Sequence, residues 1–139
     1  MMYLWVALGS ALGGVARHLV GLAGADFVGD AFPWATIVIN ATGSFVIGLF
    51  AVISGTESPY LIRTGARVFV MVGLCGGYTT FSAFSLQSFL LIREGHAVAA
   101  GANVILSMVL CLISVWLGYA AGNALIRARR ARAGRRRTG

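Results

Sequence analysis

The sequence GLCGGYTTFSAFS, from Gly73 to Ser85, lies in the middle of an apolar segment and is unusually polar for that setting. Three glycines are followed by two threonines, and then by serines that lie beside Phe81 and Phe84. Glycine weakens a helix and adopts backbone angles that are closed to other residues. The stretch therefore predicts that glycines break a membrane-spanning helix, so that backbone carbonyls and amides become free to bind something.

The composition of the whole chain is that of a membrane protein. Of its 139 residues, 58% are hydrophobic and only 11% are charged, whereas about a quarter of the residues in soluble domains are charged. The first apolar stretch has no basic region before it and exceeds the apolar core of a signal peptide, so we expect a retained span. Each stretch matches or exceeds the roughly 20 residues needed to cross a bilayer. The predicted spans are 3–24, 33–54, 68–92 and 97–126.

Short connections between these spans leave no room for a soluble domain, so residues 1–126 are predicted to form one all-α, four-span unit. The net charge of +7 comes from arginine without any lysine, and seven of the eleven arginines lie from Arg127 onward. Residues 127–139 are therefore predicted to be a basic, disordered tail. Directly after a span, its expected partner is anionic lipid headgroups rather than nucleic acid.

Polar residues recur at helical spacing in three of the four predicted spans. Ser and Thr often hold membrane helices together, which is one explanation of such a pattern. Stripes in three spans favour a continuous path for a polar solute instead. The stripes are Thr36, Asn40 and Ser44 in the second span, Thr79, Ser82, Ser85 and Ser88 in the third, and Asn103, Ser107 and Ser114 in the fourth.

The charges indicate which solute such a path would suit. Arg17 is the one charge well inside a predicted span, where it must be paired, solvated at the interface or used to attract an anion. The four acids, Asp26, Asp30, Glu57 and Glu94, fall in predicted loops, so no buried carboxylate could couple protons. Hydroxyls, amides, aromatic edges and arginine indicate a narrow path for a small anion.

Other features are interpreted as structural. The GxxxG pairs at 9–13 and 118–122 are expected to allow close helix packing. Cys75 and Cys111 lie inside spans without the spacing of a metal site, so we expect them to be small packing residues. No nucleophile dyad, buried base or metal cluster is apparent, and the sequence therefore does not favour an enzyme.

Three segments, GGVARH (13–18), INATGSFVIG (39–48) and GLCGGYTTFSAFS (73–85), resemble the signature segments of the Fluc (CrcB) family of bacterial fluoride channels. The resemblance covers all four predicted spans, over about 3–122, and leaves out the arginine tail. It implies an antiparallel, dual-topology dimer with two pores. Such a dimer passively exports fluoride across the bacterial inner membrane, which gives fluoride resistance.

The resemblance also implies particular residues. The ring edges of Phe81 and Phe84 would line the fluoride path. Backbone carbonyls of Gly76 and Thr79 from both subunits would hold a structural sodium ion at the dimer axis. The sequence departs from family members at His18, where relatives often have an aromatic residue, and at Asn103, where some have a tyrosine. The remaining residues implied for the path are Asn40, Ser82, Ser85, Ser107, Asn103 and Arg17.

Two other functions remain open at this point. A small multidrug exporter also has four spans, but that class depends on a first-span glutamate, which this chain lacks. A non-conducting assembly or regulatory subunit would fit the GxxxG pairs and short loops, but it would leave the three polar stripes unexplained.

Arginine is distributed unevenly between the two sides of the membrane. The side shared by the N-terminus, the 55–67 connection and the C-terminal tail carries nine arginines, and the opposite side carries Arg93 and Arg17. By the positive-inside rule both termini face the cytoplasm, whereas a dual-topology homodimer needs comparable amounts of both orientations. We expect a homodimer because the tail emerges last, with an oppositely oriented paralogue as the alternative.

Overall fold

The computed structural model describes residues 2–28, 32–55 and 58–135, and the regular structure in these ranges is helical. The third span is composite, because a π-helical segment and a break divide it into short helices. The helices are α1 (Met2–Val28), α2 (Trp34–Ile53), α3 (Thr64–Val68), the π-helical segment Phe69–Leu74, α4 (Cys75–Tyr78), α5 (Phe81–Arg93) and α6 (Ala97–Arg135).

The helices confirm the predicted spans to within a few residues at most ends. Within the described ranges, four helical stretches are long and apolar enough to cross a membrane, and the chain is a multi-pass membrane protein. Large apolar side chains such as Leu12 and Leu112 stay more than half exposed in the single chain, as expected where lipid replaces water. The stretches are Met2–Gly24, Trp34–Ile53, Thr64–Arg93 and Ala97–Ala133.

Glycines bring α1 against the third span. A Cβ placed on Gly9 would lie 2.9 Å from the Cα of Gly73, and one on Gly13 would collide with the carbonyl oxygen of Leu74. On the facing helix, a Cβ on Gly77 would lie 2.7 Å from the Cα of Ser10. The two backbones are therefore too close for any side chain between them, as predicted for the 9–13 pair.

Close backbone contacts at glycines also join α2 to α6. A Cβ on Gly118 would collide with the carbonyl oxygen of Phe45, and one on Gly122 would lie 2.8 Å from the Cβ of Val52. Gly48 on α2 makes the reciprocal approach to the backbone of Val115. The packing role predicted for the 118–122 pair is confirmed.

Gly13→Ala is expected to destabilise the protein, whereas Gly14→Ala on the same helix is expected to leave it unchanged or slightly more stable. An alanine at 13 must push α1 away from the Leu74 backbone, while the position of a Cβ at Gly14 has no atom within 4 Å. Alanine otherwise favours a helix over glycine by about 1 kcal/mol. Thermal unfolding of both variants in detergent measures the difference, and equal melting temperatures would contradict the packing argument.

The third span does break, but not at the glycines. Gly76 and Gly77 belong to α4, and the break consists of Thr79 (φ −78°, ψ 157°) and Thr80 (φ −150°, ψ 111°), which are extended. Gly73 and Gly77 instead serve the contact with α1. The prediction that the glycines themselves break the helix is therefore wrong, because extended backbone is open to any residue.

Two helix ends also differ from the sequence prediction. The tail was predicted to be disordered from Arg127, but α6 continues without interruption through Arg135, and 136–139 lie outside the described residues. The sequence analysis predicted that Asp26 lies in a loop, whereas α1 extends to Val28 and includes Asp26. Asp30 and Glu57 lie outside the described residues. Alanines at 128, 131 and 133 are strong helix formers between the arginines, which favours continuation of α6.

Candidate functional site at the helix break

Asn40 holds the break through a reciprocal pair of hydrogen bonds. Its side-chain amide donates to the carbonyl oxygen of Thr80 at 3.2 Å, and its Oδ1 accepts from the Thr80 backbone N–H at 2.8 Å. A broken helix leaves such backbone groups unpaired inside a membrane, at a cost of several kcal/mol per group. One side chain from α2 satisfies both, and it thereby stabilises the extended conformation of Thr80.

This arrangement releases two carbonyls from their usual helical partners. In a continuous helix the N–H of Thr80 would bond to the carbonyl of Gly76, but it bonds to Asn40 instead. The N–H of Ala83 would bond to Thr79, but it donates to the Thr80 hydroxyl at 3.2 Å as the N-cap of α5. Free, uncharged oxygens of this kind suit a hard cation, and Gly76 is exposed in the single chain.

A groove of about 410 Å³ lies beside the break. It brings together side chains or backbone from α2, the third span and α6, including six of the ten residues predicted for the fluoride and sodium sites. Its lining residues are Asn40, Gly43, Ser44, Ile47, Met71, Cys75, Gly76, Thr79, Thr80, Phe81, Phe84, Ser107, Met108 and Cys111.

Two aromatic rings line one side of this groove. The ring centroids of Phe81 and Phe84 lie 5.5 Å apart, and the rings are inclined by 46°. Phe84 is half-buried, while Phe81 is 79% exposed. The groove is therefore open along Phe81 in the single chain, and the ring edges there are free to contact a ligand or a second protein chain.

A second cavity, of about 450 Å³, lies on the other side of Thr80. Its polar lining includes Arg17, Thr36, Gln87 and Glu94. Gln87 Oε1 is buried and has no hydrogen-bond partner among the described residues. Thr80 lines both spaces, and so both cavities border the break.

The polar stripe predicted on α2 connects these two spaces. Thr36 lines the second cavity, whereas Asn40 and Ser44, one and two turns further along, line the groove. Residues four apart lie on one face of a helix, and this face is turned toward the break. The stripe therefore runs from one cavity past Thr80 into the other.

A buried hydrogen-bond chain fixes α5 to α6. The Ser107 hydroxyl donates to Asn103 Oδ1 at 3.4 Å, the Asn103 amide donates to Ser88 Oγ at 2.9 Å, and Ser88 donates to the Phe84 carbonyl at 2.8 Å. Asn103 is fully buried, and it lines neither of the two spaces. It positions Ser107, which reaches the groove, and it anchors the turn that carries Phe84.

The sequence as a whole identifies the protein family. The family described as "CrcB-like protein, Camphor Resistance (CrcB)" matches residues 4–119. The chain belongs to the CrcB family.

Curated CrcB relatives resemble the chain over most of its length. It is 50% identical over 125 residues to a protein of Methylocella silvestris named "Fluoride-specific ion channel FluC", covering 90% of this chain and 95% of the relative. A "Fluoride-specific ion channel FluC 1" of Rhodopseudomonas palustris is 49% identical over 126 residues, 91% of this chain and 89% of the relative. A protein of Rhodospirillum rubrum, also named "Fluoride-specific ion channel FluC", is 52% identical over 119 residues, which cover 86% of this chain and 92% of the relative.

Besides Asn103, two other residues predicted for the path in this CrcB chain lie outside both linings. Ser82 and Ser85 are both exposed, and they line neither space. The Ser82 hydroxyl is 3.2 Å from the Thr80 hydroxyl, and the Ser85 hydroxyl donates to the carbonyl of Phe81 at 2.9 Å. Their part in a fluoride path stays a prediction.

Thr80 is the central residue of this CrcB site, and the sequence analysis missed it. It lines both spaces, binds Asn40 through its backbone and caps α5 through its hydroxyl. A signal was available in the sequence, because threonine is a favoured N-cap residue directly before a helix. Its side-chain oxygen accepts a hydrogen bond from the backbone N–H three residues later. Gln87 was missed as well, since a single glutamine near a span end has no distinctive pattern.

Proposed function

We propose that this chain is a fluoride channel, which lets fluoride leave the cell passively across the bacterial inner membrane and so gives fluoride resistance. The main support is that two cavities, one lined in part by Asn40 and Ser107 and the other by Arg17 and Gln87, both border Thr80. The names of the curated relatives support fluoride as the ion. The relatives are named as channels, and so we do not propose an enzymatic activity.

The lining of the proposed path suits a small anion that must lose water. The rim of a phenyl ring carries the positive part of its quadrupole, so the edges of Phe81 and Phe84 attract an anion. The N-terminus of α5, which begins at Phe81, adds a partial positive charge at the break. Arg17 in the second cavity would attract fluoride from solution.

A second copy of the chain, in the opposite orientation, would complete the path. Phe81 is largely exposed, and the groove is open beside it in the single chain. An antiparallel partner would cover this opening and create two equivalent pores. An oppositely oriented paralogue would serve the same purpose, and we propose the homodimer because one chain then suffices.

A sodium ion at the interface would fit the backbone of the break. The carbonyls of Gly76 and Thr79 would hold it, because their helical partners are bound to Asn40 and to the Thr80 hydroxyl. Bound there, sodium would supply a positive charge that keeps the carbonyl dipoles of two chains together. The chain's own residues, above all Asn40, set the geometry of these carbonyls.

Sodium is expected to be structural rather than coupled to transport. Fluoride flux should therefore be electrogenic and independent of the sodium gradient, because an ion enclosed by backbone carbonyls at an interface has no evident exit. Proteoliposomes with equal fluoride on both sides and an imposed sodium gradient provide the measurement. Uphill accumulation of fluoride would show coupling and refute this expectation.

The proposed function is tested by fluoride efflux from liposomes that contain only the purified chain. We expect rapid efflux when a potassium ionophore removes the opposing potential, and little chloride efflux from matched vesicles. A drug-driven proton flux without fluoride efflux would favour a multidrug exporter. The absence of both fluxes from a folded, reconstituted chain would favour a non-conducting subunit or a required paralogue, and co-expression with that paralogue separates these two.

A further inference from the structure

The C-terminal extension of α6 is a helix surrounded by arginine. It runs nine residues past Ile126, about 13 Å at 1.5 Å per residue. At 100° per residue, the four arginines from Arg127 to Arg132 are spread around the helix rather than along one face. No acidic residue follows Glu94 in the sequence, and nothing in the extension itself therefore offsets this charge. The arginines are at 127, 129, 130, 132 and 135.

Aromatic side chains locate this end of the protein at the membrane interface. The guanidinium of Arg129 lies over the ring of Tyr60, 4.3 Å from its centroid. A Cβ on nearby Gly65 would lie 3.1 Å from the indole nitrogen of Trp5. Tyrosine and tryptophan collect where hydrocarbon meets headgroups, and the start of the extension therefore lies at that depth.

The contact between Arg129 and Tyr60 also gathers arginines from two parts of the chain. It holds the α6 extension beside the connection between α2 and α3, which ends at the exposed Arg63, and α3 itself carries the exposed Arg67. Arg130 already has another interaction, and we leave it out. We call Arg63, Arg67, Arg127, Arg129 and Arg132 the arginine collar.

We propose that the arginine collar binds the phosphates of anionic lipid headgroups in the leaflet around this end of the protein. Guanidinium groups match phosphate geometrically and remain charged. The headgroup layer adds about 5–8 Å beyond the hydrocarbon on each side, and the first turns of the extension cross that layer. Arginines on every side of a helix fit lipids that surround it, whereas a nucleic acid would approach from one side. This inference does not depend on the ion that the protein conducts.

Lipid binding is tested on the full-length chain in neutral detergent, by counting bound phosphatidylglycerol or phosphatidylcholine with native mass spectrometry. The wild-type chain is expected to retain phosphatidylglycerol preferentially. Arg127→Gln/Arg129→Gln/Arg132→Gln is expected to weaken retention about tenfold or more, since each basic group near a membrane contributes on the order of 1 kcal/mol. Arg63→Gln/Arg67→Gln should weaken it less, and high salt should weaken it in the wild type.

Arg93→Gln is the matched control, because Arg93 is exposed at the opposite end of the molecule. It should retain phosphatidylglycerol as the wild type does, and unchanged melting temperatures in neutral detergent show that each variant folds. The proposal is overturned if the wild type shows no preference for the anionic lipid. It is also overturned if Arg93→Gln and the triple variant weaken retention equally, or if a short DNA duplex displaces the bound lipid.

Discussion

Phe81→Ile and Phe84→Ile are each expected to reduce fluoride efflux from liposomes about tenfold or more while the protein stays folded. Isoleucine keeps much of the side-chain volume but lacks the electropositive ring edge that would stabilise a partly dehydrated anion. A barrier higher by about 1.4 kcal/mol slows passage tenfold. Efflux measured with a fluoride electrode gives the ratio directly.

Phe89→Ile is the control for this pair. Phe89 lies on the same helix, is 59% exposed and lines neither cavity, and so its replacement should leave efflux close to that of the wild type. Efflux unchanged in both Phe81→Ile and Phe84→Ile would remove the rings from the path. Equal losses in all three variants would point to a general effect on folding or insertion.

Asn40→Ala is expected to abolish most fluoride efflux and to lower the melting temperature. It leaves both the N–H and the carbonyl of Thr80 without the partners they have now, at about 1–3 kcal/mol for each buried group. The N–H would then be free to return to the Gly76 carbonyl, which favours a continuous helix over the break. Thermal unfolding and efflux of the same preparation measure both effects.

Asn40→Asp separates the two halves of this contact. An aspartate still accepts from the Thr80 N–H but, when ionised, cannot donate to the Thr80 carbonyl and repels it, so we expect a loss of stability that becomes smaller at acidic pH, where the protonated carboxyl can donate. Asn123→Ala removes a hydrogen bond from the Asn123 side-chain amide to the Tyr119 carbonyl on an exposed part of α6. It should change neither efflux nor the melting temperature. Full efflux and stability in Asn40→Ala would show that Asn40 does not maintain the break.

The sequence by itself determined the membrane class, the spans and the helix packing. Those features depend on local composition: about 20 apolar residues suffice to cross a bilayer, and a GxxxG pair removes side chains from one face of one helix. Family membership also followed from sequence, since the segments around Asn40 and Phe81 carry the resemblance that the comparison over 4–119 confirms. Of the residues that line the groove, six were predicted from the resemblance: Asn40, Gly76, Thr79, Phe81, Phe84 and Ser107.

Tertiary structure decided where the third span breaks and what meets there. The glycines at 76 and 77 are compatible with a helix or with a break, and the partner that stabilises the extended Thr80 is Asn40, forty residues earlier in the chain. Spacing along one span does not report such a contact. Ser82 and Ser85 follow the pattern of a polar track, yet both are exposed and line neither cavity. A hydrogen bond between distant segments therefore selects one backbone conformation among several that the local sequence allows.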